Sequence, residues 1–149
     1  MRILKILVIL GLLCTTSKSY SVEFGTEEEA KAMLDRAVNL MKFNELFALE
    51  QMTEGAGGFK VKDLYPLCVN ANGILVGHPV NVGFNLLEFV DSDGKNVGEE
   101  FLKVAQENKI SKVTYKLARI TTEDEKEFEK TALVTKVKKY ICAVGFYSN

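Results

Sequence analysis

The chain has 149 residues, with 19 basic and 20 acidic side chains and a formal net charge of −1 at pH 7. Apolar residues make up 47% and charged residues 26%, which is the composition of one folded domain and excludes a disordered chain. This charge balance also gives no sign of the clustered basic surface of a nucleic-acid-binding protein, so we expect no nucleic-acid partner.

The first 21 residues have the pattern of a secretory signal peptide. Arg2 and Lys5 precede a compact apolar run at residues 6–13, which is too short to span a bilayer. Ser19-Tyr20-Ser21 then fits a small-x-small cleavage site. We therefore predict that residues 1–21 are removed and that the product is periplasmic or secreted.

A lipoprotein signal ending at Cys14 is the alternative, although the two bulky leucines just before this cysteine disfavour it. With either leader, no linker or internal repeat divides the remaining chain. We predict one domain over residues 22–149.

Cys68 and Cys142 remain in the mature domain, each within an apolar run typical of a strand. An oxidising compartment permits a disulfide between them. Two separate buried thiols are the alternative, because free cysteine packs as a small hydrophobic residue.

A long helix is predicted to begin after Thr26. Thr26 and Glu29 have capping-box spacing, and an apolar stripe follows at intervals of three and four residues as far as about Met52. A bend near residues 42–44 is compatible with this pattern. We interpret the helix as a packing element that also allows a homodimer.

Two short apolar runs joined by Asn72-Gly73 predict a β-hairpin over Asp63–Pro79. With a two- or four-residue loop, alternate residues share one face. These are Tyr65, Leu67, Val69, Ile74, Val76 and His78. A three-residue loop would reverse one strand, and an ordinary core hairpin with a solvated His78 is the alternative interpretation.

Asp91-Ser92-Asp93-Gly94 resembles the start of a calcium loop but lacks further ligands and the spaced glutamate. A turn is the better interpretation. We expect a helix from about residue 95 to 107 after it.

Three strands are predicted at residues 112–118, 130–137 and 140–147. The connection over residues 119–129 is acidic and is most simply a solvated loop. With the hairpin and helices, this order predicts an α+β domain with one antiparallel five-stranded sheet.

The sequence contains no catalytic constellation that we recognise. Its single histidine lacks closely spaced metal-binding partners, and no serine stands in a nucleophile elbow. We therefore predict a binding module with no catalytic residues, no metal and no cofactor.

Five short motifs, together spanning about Ala30 to Tyr147, resemble those of one known family in order and spacing. They are Gly58-Phe59 with Asp63-Leu64-Tyr65, Asn72-Gly73 with Gly77-His78, Val82-Gly83 with Asp91-x-Asp93-Gly94-Lys95, Val113-Thr114-Tyr115, and Lys130 with Val144-Gly145-Phe146-Tyr147. The family is that of single-Cache extracellular sensor domains of bacteria, the PAS-like modules of chemotaxis receptors and sensor kinases.

The resemblance implies a PAS-like sheet with a long N-terminal helix and a pocket for small organic acids. The family's pocket positions correspond to Tyr65, His78, Tyr115 and Lys130. An ammonium, phenols and an imidazole suit a carboxylate, since all donate hydrogen bonds. From the residue alone, Lys130 is equally well a solvated lysine at a strand end.

The chain departs from the family where Leu117 and Leu133 replace aromatic residues that are frequent in the pocket. We expect a stand-alone sensor domain for a carboxylate of two to four carbons, signalling through a membrane receptor or kinase partner. The alternative is a structural or interaction protein on the same fold with a degenerate pocket.

Overall fold

The computed structural model describes residues 23–122 and 125–148. The predicted signal peptide and the alternative lipidation site at Cys14 therefore lie outside the described residues. Within the described part, no helix has both the length and the apolar character needed to cross a bilayer.

Two consecutive helices begin the domain, α1 at Glu27–Phe43 and α2 at Glu45–Glu54. The predicted capping box is present, because Thr26 Oγ1 accepts from the Glu29 amide and the Glu29 carboxylate accepts from the Thr26 amide. Asn44 adopts extended backbone between the helices, and its side chain caps α2. The predicted bend is thus confirmed as a break between two helices.

One antiparallel sheet of five strands has the spatial order β2-β1-β5-β4-β3, which confirms the predicted fold class. The strands are β1 Pro66–Val69, β2 Leu75–Gly77, β3 Ser111–Ala118, β4 Glu127–Val137 and β5 Tyr140–Tyr147. Strand β4 begins three residues earlier than predicted because Glu127, Phe128 and Glu129 pair with the end of β3.

Apolar residues cover both faces of the sheet, so that other parts of the chain pack on each side of it. One face, here called the helix face, packs against α1 and α2 through Cys68, Leu133, Cys142 and Val144. The opposite face, here called the pocket face, carries Leu67, Val69, Ala132, Val134 and Ala143.

Cys68 and Cys142 form a disulfide on the helix face. They are directly opposed partners of β1 and β5, and neither is exposed to solvent. This resolves the two alternatives left open by the sequence in favour of the disulfide, because antiparallel register places the two side chains on the same face.

The hairpin has a three-residue loop, so the predicted shared face is wrong for Ile74 and Val76. Asn70 donates its amide to the Ile74 carbonyl, and Gly73 lies between them at φ +80°. This register puts Leu75 on the pocket face with Val69.

A β-bulge then returns the later residues of the hairpin to the predicted parity. Val69 pairs with Leu75 and Cys68 with Gly77, which leaves Val76 as an extra residue. His78 consequently reaches the pocket face despite the reversed loop.

Helix α3 spans Val97–Val104 and is shorter than predicted. Asn96 caps its start, and beyond its end the Gln106 carbonyl accepts a hydrogen bond from the Lys136 amide of β4. The Asp91 carboxylate accepts hydrogen bonds from three backbone N–H groups. This acidic segment therefore forms a turn, as predicted in preference to a calcium loop.

Candidate functional site

A cavity of about 230 Å³ lies between the pocket face and the loop that follows β2. Its walls are mainly apolar side chains, with a smaller polar group at one side. The apolar lining comprises Leu67, Leu75, Phe84, Leu86, Phe89, Leu117 and Ile120. The polar lining comprises Tyr65, His78, Asn81 and Tyr115. Such a cavity suits a small ligand with a polar head and a short hydrocarbon part.

His78 is a buried, neutral hydrogen-bond donor. Its Nδ1 atom accepts the backbone amides of Val80 and Asn81, each at 3.0 Å, which leaves the ring proton on Nε2. Burial, reinforced by the charge of Lys130, lowers the pKa of His78 to about 4. The imidazole therefore offers one N–H and no charge at neutral pH.

Tyr65 lies between His78 and Lys130. Its ring meets that of His78 edge-on, with 5.1 Å between centroids. Its phenolic oxygen accepts a hydrogen bond of 2.6 Å from Lys130 Nζ. Tyr65 thus connects the lined cavity to a buried amine.

Lys130 is only 2% exposed and lies behind Tyr65 rather than among the lining residues. Its Nζ atom is 3.4 Å from Tyr147 Oη and 4.6 Å from the Tyr147 ring centroid. Burial lowers the pKa of Lys130 to about 7. The negative charge of Asp63 raises this pKa, and the positive charge of Arg119 lowers it further.

Gly145 makes room for the lysine stem. A Cβ atom at this position would overlap Lys130 Cε and lie within 3.2 Å of the next two stem carbons. The small residue predicted to permit close approach on β5 therefore receives the lysine side chain.

Tyr115 presents a second hydroxyl at the cavity. Its ring packs edge-on against Phe89 and Phe101, and burial raises its pKa. Within residues 23–122 and 125–148, no protein group hydrogen bonds to Tyr115 Oη or to His78 Nε2. Both donors remain available to a ligand.

A buried ion pair borders this polar group and was not predicted. Arg119 Nε lies 3.1 Å from Asp63 Oδ2, and both side chains are almost fully buried. The guanidinium also stacks on the rings of Phe24 and Phe128, with its carbon 4.0 Å from each centroid. The prediction of a solvated connection is thus wrong for Arg119.

The four predicted site residues occupy one neighbourhood, with three on the cavity wall and Lys130 one side chain behind it. Their role in binding stays a prediction. Of the two departures from the family pattern, Leu117 lines the cavity, whereas Leu133 lies on the helix face. The replacement at Leu133 therefore does not alter the cavity.

A larger cleft of about 380 Å³ lies between α1 and residues 108–110. Its cations, among them Lys42, Lys109 and Lys136, are exposed. Because water solvates these lysines, they need no ligand as a counter-ion, so the cleft is the weaker candidate for a binding site.

The sequence model of a family described as single Cache domain 2 matches residues 8–148. No curated protein matches the chain. Three solved structures share its fold at 18% identity each. One is a methyl-accepting chemotaxis protein from Vibrio parahaemolyticus, with a TM-score of 0.63 over 80% of this chain and 86% of that one.

The second is a Cache chemosensory domain described for its carboxylic acid recognition, with a TM-score of 0.57 over 82% of this chain and 88% of that one. The third is a periplasmic sensor domain of a chemotaxis protein, with a TM-score of 0.55 over 82% and 90%. At this identity the likeness shows the fold.

Proposed function

We propose that this chain, which belongs to the single Cache domain 2 family, is a sensor domain that binds a carboxylate of two to four carbons in the cavity beside Tyr65. The observation that carries the proposal is the environment of Lys130. Its buried amine contacts two phenols and, in the described part of the chain, forms no ion pair with a carboxylate. A buried ammonium without a counter-ion is costly, and a ligand carboxylate would supply that counter-ion.

The remaining donors fit the same ligand. His78 and Tyr115 both line the cavity, and in the described part of the chain neither His78 Nε2 nor Tyr115 Oη has a hydrogen-bond partner. Neutral donors can share the second carboxylate oxygen without adding charge. The leucine and phenylalanine side chains opposite them would enclose a short hydrocarbon part.

One solved structure of the same fold is described for carboxylic acid recognition. This supports a carboxylic acid as the ligand class.

A thermal-shift screen of residues 22–149 against acetate, propionate, butyrate and pyruvate tests the proposal. An acid present at a hundred times its dissociation constant should add about 2.7 kcal/mol to the free energy of unfolding. Lys130→Met is the matched variant and should reduce the shift by about half or more. No shift with any acid would contradict the proposal, and turnover of an acid would favour an enzyme instead.

A structural or interaction protein with a degenerate pocket is the second candidate. Two observations favour it: Leu117 adds apolar surface to the cavity, and Tyr65 separates Lys130 from the lined volume. This candidate predicts a flat thermal-shift screen with a normally folded domain.

The proposed sensor acts outside the cytoplasm, after cleavage near Ser21, and passes its signal to a membrane receptor or kinase. The Cys68–Cys142 disulfide supports an oxidising compartment. Mass spectrometry of the exported protein tests the cleavage, and an intact N-terminus or a lipid-modified Cys14 would contradict it.

A homodimer through the helical layer is part of this proposal. Phe43 and Leu46 are 87% and 75% exposed where α1 meets α2, and Phe47 borders an open cleft beside them. Exposed apolar surface of this kind is typical of an interface. Light scattering of the wild type and of Phe43→Ser/Leu46→Ser measures it, and a monomeric wild type would refute it.

A further inference from the structure

We infer that Arg119 is a positioning residue of the proposed carboxylate site: by holding Asp63, it leaves Lys130 without a counter-ion among the residues that the structure describes. The inference rests on the proposed function, and it adds the residue that makes Lys130 available to an external anion.

Both oxygens of the Asp63 carboxylate are already occupied. Oδ2 lies 3.1 Å from Arg119 Nε, and Oδ1 accepts the Gly25 amide at 2.7 Å. Asp63 and Arg119 are 2% and 4% exposed, so water does not compete for these bonds. The carboxylate has a fixed position that faces the guanidinium.

Lys130 lies near this ion pair, within the range at which the charge of Asp63 acts on its amine. Its Nζ atom is 4.6 Å from the centroid of the Tyr147 ring, and the guanidinium carbon of Arg119 is 4.7 Å from the same centroid. Asp63 also precedes Tyr65, the main partner of Lys130, by two residues. Two buried cations therefore contact one ring, and the carboxylate is bonded to only one of them.

The charges of this buried group do not cancel. Asp63 contributes one negative charge, whereas Arg119 and a protonated Lys130 contribute two positive charges. Burial of an uncompensated charge is unfavourable, and a monovalent anion at Lys130 would neutralise it. The arrangement thus selects a ligand with one carboxylate near the amine.

Arginine is suited to pair with Asp63 inside the protein, and lysine is suited to pair with a ligand that enters from outside. The planar guanidinium stacks on Phe24 and Phe128 while it bonds to Asp63. The lysine amine is a flexible point charge and can exchange partners. Without Arg119, the carboxylate of Asp63 would be free to pair with Lys130, on which its charge already acts.

The test compares four proteins: the wild type, Arg119→Gln, Arg119→Met and Asp63→Asn/Arg119→Met. The single variants release Asp63 to Lys130, so the dissociation constant for propionate or butyrate should increase about tenfold or more. The double variant removes both internal charges and should bind the same acid within about threefold of the wild type.

The ionisation of Lys130 gives a readout that does not require a ligand. Its ε-carbon resonance should titrate near pH 7 in the wild type, and the pKa should increase clearly in both single variants. Arg119→Gln removes the charge and keeps only a neutral donor beside Asp63, which competes less well than the Lys130 ammonium, so this variant serves if Arg119→Met does not fold. Lys116→Met/Asp93→Asn removes an exposed ion pair and is the matched control.

An unchanged Lys130 pKa in folded Arg119→Gln would overturn the inference. So would a double variant that folds but binds as weakly as the single variants, because Arg119 would then have a merely structural role. If the wild type binds no acid, the proposed function fails, whereas the pKa comparison still decides whether Arg119 separates Asp63 from Lys130.

Discussion

The ammonium nitrogen of Lys130 lies 2.6 Å from the phenolic oxygen of Tyr65. A neutral hydroxyl compensates a buried charge less well than a carboxylate does, and this explains why burial dominates the pKa of the amine. The same contact places Tyr65 between the amine and the cavity. A ligand carboxylate that pairs with Lys130 would therefore lie beside the Tyr65 hydroxyl.

Lys130→Met should weaken binding of the carboxylate by about 1.5–3 kcal/mol, the range for hydrogen bonds to charged groups. Methionine keeps most of the stem that fills the space beside Gly145, so the domain should stay folded. Isothermal titration calorimetry measures the loss. Lys112→Met, which removes an exposed lysine of β3, is the control, and normal acid binding by Lys130→Met would show that another group holds the ligand.

Binding should weaken as the pH increases above about 7. Only protonated Lys130 forms a charge-assisted bond, and the pKa of the free site is about 7. The affinity should therefore approach a tenfold loss per pH unit above this value. Because the pKa of His78 is about 4, no imidazole transition near pH 6.5 is expected. Calorimetry of the wild type and of Lys130→Met between pH 6 and 9 tests this, and a pH dependence that persists in Lys130→Met would implicate another group.

The stability of the wild type should increase relative to Lys130→Met between pH 7 and 9. The pKa of Lys130 in the folded state, about 7, lies below its ordinary value of 10.5. The unfolded chain therefore binds more protons in this window, and the free energy of unfolding rises with pH by about 2 kcal/mol. Urea unfolding of both proteins at matched pH isolates this difference. If the free energy of unfolding changed with pH equally in both proteins, the pKa of Lys130 would be close to its ordinary value of 10.5.

His78→Phe should destabilise the domain, whereas His78→Asn should retain more stability. Phenylalanine leaves the Val80 and Asn81 amides without the acceptor that Nδ1 provides, at about 1–3 kcal/mol for each unsatisfied group. An asparagine oxygen can accept them. Thermal unfolding distinguishes the two variants, and equal stability would show that the amides find water. Both variants should bind acid more weakly, because both lack the Nε2 donor.

Removal of the disulfide should lower stability and leave ligand affinity nearly unchanged. The bridge joins residues separated by 74 positions, and the loss of loop-closure entropy for a loop of this length corresponds to about 4–5 kcal/mol. It lies on the helix face, opposite the cavity. Cys68→Ala/Cys142→Ala should therefore unfold earlier in urea, and a large loss of acid affinity at low temperature would contradict this separation of the two faces.

The sequence by itself determined the elements whose signals are local. The Thr26–Glu29 capping box, the bend near Asn44 and the strand alternation of β3 each depend on contacts within a few residues or on a fixed side-chain period. Ordered motifs then indicated the family and the four candidate site residues, which are Tyr65, His78, Tyr115 and Lys130. These features were predictable because the backbone conformation and the pattern that encodes it lie in the same segment.

Only the tertiary structure decided the pairings between distant segments. Asn72-Gly73 is compatible with loops of several lengths, so the three-residue loop and the bulge at Val76 depend on how β1 and β2 align. The Asp63–Arg119 pair joins residues 56 positions apart, and no local pattern marks Arg119 as buried. Whether a charged side chain is solvated or buried depends on what packs over it, and that is set by the whole fold.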